Sequence, residues 1–201
     1  TIHRIEAVRA YLLHSPGEKP LPTDYADRHR RMRAKLKAFL NPISQTLREF
    51  KETDTAIEAR YARAIAYCGC GPGQRKADLD KALPLVEGLI RERPADPFFQ
   101  ELLGQILFEN GRVAESLVPY TLAVQLQPDS YLLRVGLARA QLEVNDPALL
   151  KAAILNLRSA LLSQRGSAFI WHQLVIAYGR DGQMGMSNLA MAEEYFLSSY
   201  Y

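Results

Sequence analysis

An all-α solenoid of stacked antiparallel helix pairs is the fold this sequence predicts, and three observations predict it. A pattern recurs every 34 residues: Leu103-Gly104 with Leu137-Ala138, Pro94 with Pro128, Ala82 with Ser116, and Val86 with Tyr120. Small residues (Gly104, Ala138, Ser116, Ala153) fall where two helices of a pair must approach, and large ones (Tyr120, Leu157, Tyr178) fall where neighbouring pairs must be filled. Pro94 and Pro128 close their second helices, since Pro lacks an N–H and clashes with the preceding turn. A fixed period of this length is the signature of the tetratricopeptide helix-turn-helix repeat. One such hairpin cannot bury its apolar face alone, so at least about three must stack.

The elements follow in order. Ile2 to Leu13 carries Ile5, Val8 and Leu12 at helical spacing, and the Pro/Gly-rich stretch His14 to Thr23 reads as a linker. Asp24 to Leu40 predicts a helix with acidic Asp24 and Asp27 near its start and an apolar stripe of Met32, Leu36, Phe39 and Leu40. Asn41-Pro42 ends it, and Ile43 to Phe50 predicts a further short helix. These residues, 1–54, form an N-terminal helical linker segment before the repeat domain, 55–201.

The first repeat, 55–96, opens with Thr53 or Thr55 as cap and with Ile57, Tyr61, Ala64 and Ile65 on one face. It continues through Ala82, Val86, Leu89 and Pro94, and its turn is lengthened by about six residues around Cys68-Gly69-Cys70-Gly71-Pro72-Gly73. The second, 97–130, supplies Leu103-Gly104, Leu107, Gly111, Ser116, Tyr120, Ala123 and Pro128. The third, 131–167, supplies Leu137-Ala138, Asn145, Ala153, Leu157 and Ala160. Its second half is displaced by three residues, which the pattern assigns to the turn at Asp146-Pro147-Ala148. The fourth, 168–201, is truncated and supplies Trp171, Leu174-Val175, Tyr178 and Gly182.

Composition narrows the function. A hydrophobic content of 48% is ordinary for a globular domain, and no apolar run approaches the ~18 residues of a membrane span. A net charge of +3 does not by itself point to nucleic acid. Arg28, Arg30, Arg31, Arg33, Lys35 and Lys37 are concentrated in one helix, but no aromatics interleave them for base stacking. They read as a solvated face that pairs with acidic neighbours.

The motifs of catalysis are missing. There is no His-Glu-x-x-His, no phosphate loop and no Gly-x-Ser-x-Gly elbow. The four histidines (His3, His14, His29, His172) are far apart, so no metal is expected in this chain. Cys68 and Cys70 do not match a Cys-x-x-Cys pair; they read as loop thiols, with a bridge across Gly69 as the alternative. The chain is therefore expected to have no catalytic residue, no cofactor and no enzymatic activity of its own, an enzyme with an unrecognised site being the weakest alternative.

Binding is the function such a repeat performs. The first helix of each pair lines the concave face, which places Tyr61 and Ile65, then Phe98, Glu101, Gln105 and Phe108, in a groove. Val135, Arg139 and Leu142 continue it, and Phe169, His172 and Ile176 close it. The groove lacks the dense Lys/Arg set that clamps a terminal carboxylate, so an extended or helical apolar segment of a protein or peptide is the expected ligand. Leu189, Ala192, Phe196 and Tyr200 form a stripe on the last helix. A solenoid end needs a cap, so this stripe is expected to be buried against the preceding pair or against a second copy in a homodimer.

The segments Thr1-Ile2-His3-Arg4-Ile5, Arg28 to Leu40 (RHRRMRAKLKAFL), Ala59 to Tyr67 (ARYARAIAY) and Asp78 to Pro97 (DLDKALPLVEGLIRERPADP), taken with the repeats, give a resemblance over nearly the whole chain. Together they resemble the C-terminal half of the bacterial periplasmic zinc metallopeptidases related to the beta-barrel assembly-enhancing protease. In that family the chain continues from the catalytic domain as Thr-x-x-Arg-Ile, which Thr1, Arg4 and Ile5 match. The resemblance implies a non-catalytic module that recruits substrates or outer-membrane assembly partners, or regulates the protease, and that packs against its own catalytic domain. It implies a periplasmic location with zinc only in the catalytic domain. The chain departs from the family at the Cys68 to Gln74 insertion, where the family has a tight turn, and an oxidising compartment would allow the two cysteines to pair there. The start at Thr1 and the stop at Tyr200-Tyr201 fit the expectation of a piece of a longer protein. The alternative is a free-standing tetratricopeptide scaffold or co-chaperone.

Overall fold

A computed structural model of the chain describes residues 25–71 and 77–199. The predicted helix over 2–13, the linker after it, and Tyr200 lie outside them. The described residues form ten α-helices and no strand. In chain order these are α1 (Tyr25–Leu40), α2 (Ile43–Glu49), α3 (Ile57–Cys68), α4 (Leu79–Glu92) and α5 (Pro97–Glu109). Then come α6 (Val113–Leu126), α7 (Tyr131–Val144), α8 (Pro147–Leu161), α9 (Ala168–Arg180) and α10 (Met184–Ser198).

Four hairpins stack in sequence: α3 with α4, α5 with α6, α7 with α8, and α9 with α10. Each turn within a hairpin needs one residue in the left-handed region, and each has one: Gly69, Gly111, Asn145 and Gly182. Gly fits that region without a Cβ clash, and Asn tolerates it. Three helix starts carry side-chain caps: Asp96 accepts from Phe98 N (3.1 Å), Asp146 from Ala148 N (2.9 Å) and Ser167 from Ile170 N (3.4 Å). Pro97 and Pro147 follow the two aspartates at the first helical position, where the missing N–H costs nothing. Neither Thr53 nor Thr55 caps α3; its N-cap is Ala56, whose own N–H is held by Asp54 Oδ1 at 2.9 Å.

The three extra residues of the third repeat are helical, which corrects their assignment to the turn. The α7–α8 turn is only Asn145 and Asp146. Asp146-Pro147 starts α8 early, and its buried stripe (Ala153, Leu157, Ala160) begins nearly one turn further in.

Packing follows the small-and-large logic of the repeat. The ring of Tyr120 on α6 sits against Gly104 of α5 and Gly136 of α7. A Cβ at Gly104 would lie 2.8 Å from that ring, and one at Gly136 would lie 2.9 Å from it. Tyr120 thus joins two larger clusters, one built around α1, α3, α4 and α5 and the other around α7 to α10. Within pairs, Ala82, Ser116, Ala138, Ala153 and Ala160 are fully buried, so the helices approach closely.

α1 packs along α3, but not by its predicted stripe. The contact face is Ala34 and Ala38, both buried, while Met32, Leu36 and Leu40 are exposed; Phe39 is half-buried against the core. A four-residue Ala-x-x-x-Ala spacing brings the two backbones together, and the larger side chains then have no room on that side. A pattern search that weights large apolar residues picks the opposite face. On α10 the same inversion holds. Ser187 and Ala190 are buried against α9, whereas Leu189 (51% exposed) and Ala192 are exposed, so these two residues of the predicted stripe are not covered by the preceding pair.

Candidate functional site: the concave groove

The inner face of the solenoid is set by which helices touch. First helices of adjacent pairs contact each other directly (α3 with α5, α5 with α7, α7 with α9). Among the described residues, second helices of adjacent pairs do not. The first helices therefore line the concave side, as the sequence predicts.

At the N-terminal end that side is occupied. Arg31 of α1 pairs with Asp96, the N-cap of α5, and its guanidinium carbon stands 5.3 Å from the Phe99 ring centroid. Lys35 Nζ lies 2.8 Å from Glu101 Oε2. Tyr61, only 3% exposed, is enclosed here with its ring 5.5 Å from that of Phe99. Other charges of the same helix are also paired: Arg30 with Asp27 and with Glu58 of α3 at 3.4 Å, and Lys37 with Glu49 of α2. This is the acid-paired face that the charge pattern predicts.

Burial sets the proton affinities of this cluster. Desolvation alone would lower the Lys35 pKa, but the Tyr61 oxygen and the Glu101 carboxylate more than offset it, and the net direction is upward. Burial pushes the Tyr61 phenol upward as well, against the opposing charge of Lys35. Both groups hold their protons at neutral pH.

The C-terminal half of the groove is different. Arg139 of α7 stands between two aromatic rings, 4.9 Å from the centroid of Phe108 on α5 and 5.9 Å from that of Phe169 on α9. Glu109 approaches it only to 4.0 Å. Phe169 is 50% exposed, and Phe108 and Arg139 are half-buried. The three residues form a ladder across three successive first helices, with one guanidinium shared between two aromatic rings.

The remaining predicted residues fall into three groups. Phe98, Gln105 and Ile176 are half-buried. Val135 and Leu142 are buried in the cluster between α7 and α9 and serve packing, and Ile65 is buried in the N-terminal cluster. His172 is exposed, and its Nδ1 lies 2.9 Å from Glu194 Oε1 of α10. The groove residues that sequence reasoning missed are Asp96 and Phe99. Asp96 was legible only as a helix cap, and its second partner comes from a helix 65 residues away.

Among the described residues no group of three or more His, Cys, Asp or Glu side chains converges, and no helix is long and apolar enough to cross a membrane.

Comparison with known proteins bears on the fold. No protein-family model matches the sequence, and no curated protein matches it. Solved structures do match. A MamA AMB-1 structure superposes with a TM-score of 0.67 at 14% identity, covering 86% of this chain and 99% of that one. A MamA MSR-1 structure gives a TM-score of 0.64 at 15% identity, covering 88% and 96%. A MamA structure from Desulfovibrio magneticus RS-1 gives 0.56 at 19% identity, covering 61% and 67%. The chain has a tetratricopeptide-type solenoid fold.

Proposed function

We propose that this chain is a non-catalytic scaffold that binds a segment of another polypeptide in the C-terminal half of its concave groove. The observation that carries the reading is the ladder of Phe108, Arg139 and Phe169. Aromatic rings and arginine, half-covered and rigidly placed on helices, are the residue types that dominate binding energy at protein interfaces. The matched solenoids support the fold on which such a groove rests. Selection of peptides from a displayed random library on the whole chain tests the reading. Selected peptides should lose at least about tenfold in affinity, ~1.4 kcal/mol, on Phe169→Ala or Arg139→Ala. Equal affinity for the variants would refute it.

The finer proposal is that the scaffold serves a periplasmic zinc metallopeptidase, recruiting its substrates or assembly partners. It rests on the resemblance carried by Thr1 to Ile5 and by the segments Arg28 to Leu40 and Ala59 to Tyr67. Reading the open frame upstream of Thr1 tests it. A His-Glu-x-x-His motif there is the expected result, and its absence from a complete frame favours a free-standing scaffold.

A further inference from the structure

Cys68 and Cys70 are paired in the structure, with Cα atoms 5.1 Å apart and no free cysteine left among the described residues. Their reading as two loop thiols is thereby replaced by the bridge. We infer that this pair is a reversible thiol–disulfide site, exchanging with a dithiol partner, rather than a structural crosslink.

Three features support exchange. A crosslink stabilises a fold mainly by shortening the loops of the unfolded chain, and the gain grows with loop length. Here only Gly69 lies between the two cysteines, so the loop they close, and with it the stabilisation, is very small. The surrounding turn is also held without the bridge. Gly69 takes the left-handed conformation at the end of α3, Asp78 N–H donates to Tyr67 O at 2.8 Å, and Asn110 Nδ2 donates to Cys68 O at 3.4 Å. Finally, the two cysteines differ in access. Cys68 is 1% exposed within the core cluster, where a thiol packs as a small hydrophobe, whereas Cys70 is half-buried on the turn.

The exchange balances as follows. A thiolate of the partner attacks Cys70 Sγ and forms a mixed disulfide. The Cys68–Cys70 bond breaks, and its electron pair leaves with Cys68 Sγ, which takes a proton. The partner's second thiol attacks the mixed disulfide and releases Cys70 as a thiol. Two electrons and two protons pass to the chain, and the partner leaves as a disulfide.

A glutathione redox series on the whole native chain, quenched with acid and alkylated, tests the assignment. The bridged form should give way, within the series, to a form two alkylations heavier, with no change in the helical circular-dichroism signal. The Cys70→Ser variant should keep the parent's thermal midpoint. A bridge that opens only in denaturant, a midpoint that drops in the variant, or cysteines that never pair would each overturn it.

Discussion

The two halves of one groove are built from the same repeat and end in opposite conditions. Over α3 and α5 the inner face is covered, because α1 brings Arg31 and Lys35 to Asp96 and Glu101 and encloses Tyr61. Over α7 and α9 the same face presents a half-exposed Arg139 between Phe108 and Phe169. Aromatic residues on the first helices therefore meet different surroundings: Tyr61 and Phe99 are buried under the N-terminal helix, whereas Phe108 is half-buried and Phe169 exposed. A solenoid position does not have a role by its place in the repeat; it has one by what covers it.

The largest expected effect separates the halves by stability. Phe99→Ala removes a fully buried ring and should cost about 3–5 kcal/mol in urea unfolding, whereas Phe169→Ala should stay within about 0.5 kcal/mol. Similar costs for the two would break the comparison. At the joint between the halves, Gly104→Ala forces a Cβ against the Tyr120 ring. It should cost about 1–3 kcal/mol, and in Tyr120→Leu, where a ring no longer blocks the Cβ, the cost should shrink. A double-mutant cycle reads that difference.

Alkaline pH should act through the covered half. Lys35 and Tyr61 both have folded-state pKa values above their unfolded ones. Their stabilisation is thus fully present below pH ~10, and it falls as the pH rises further because the folded state then binds more protons than the unfolded one. Buried Tyr120, whose phenol is pushed upward by burial, adds to the same slope. Stability measured from neutral to strongly alkaline pH should fall less steeply in Tyr61→Phe than in the parent; equal slopes would count against this role for Tyr61. The smallest effect is expected on the outer face of α1, where Leu36 is 51% exposed. Leu36→Ala should change stability by less than about 0.5 kcal/mol, while Ala38→Leu, on the buried face, should cost about 1–3 kcal/mol.

The sequence makes the repeat legible because its spacing is enforced by packing. Gly104 must be small to admit Tyr120, and Pro128 stands just past the end of α6, so both positions show in the 34-residue pattern. α1 is not a repeat unit and shows no such pattern. Its contact with α3 is made by two alanines, which carry little hydrophobic signal, and its hold on the groove is made by ion pairs to residues more than 60 positions away. That is why Tyr61 reads as an open groove residue and is in fact enclosed, and why Phe169 and Arg139 read alike with Val135 and Leu142, which the third and fourth pairs bury.

Hydrogen exchange on the whole chain, with and without a library-selected peptide, tests the central claim most directly. Partly covered first helices should gain protection over 131–144 and 168–180, with no loss of protection over 25–40. Release of 25–40 on binding, or protection confined to the outer helices α6 and α8, would contradict a groove closed at one half and open at the other.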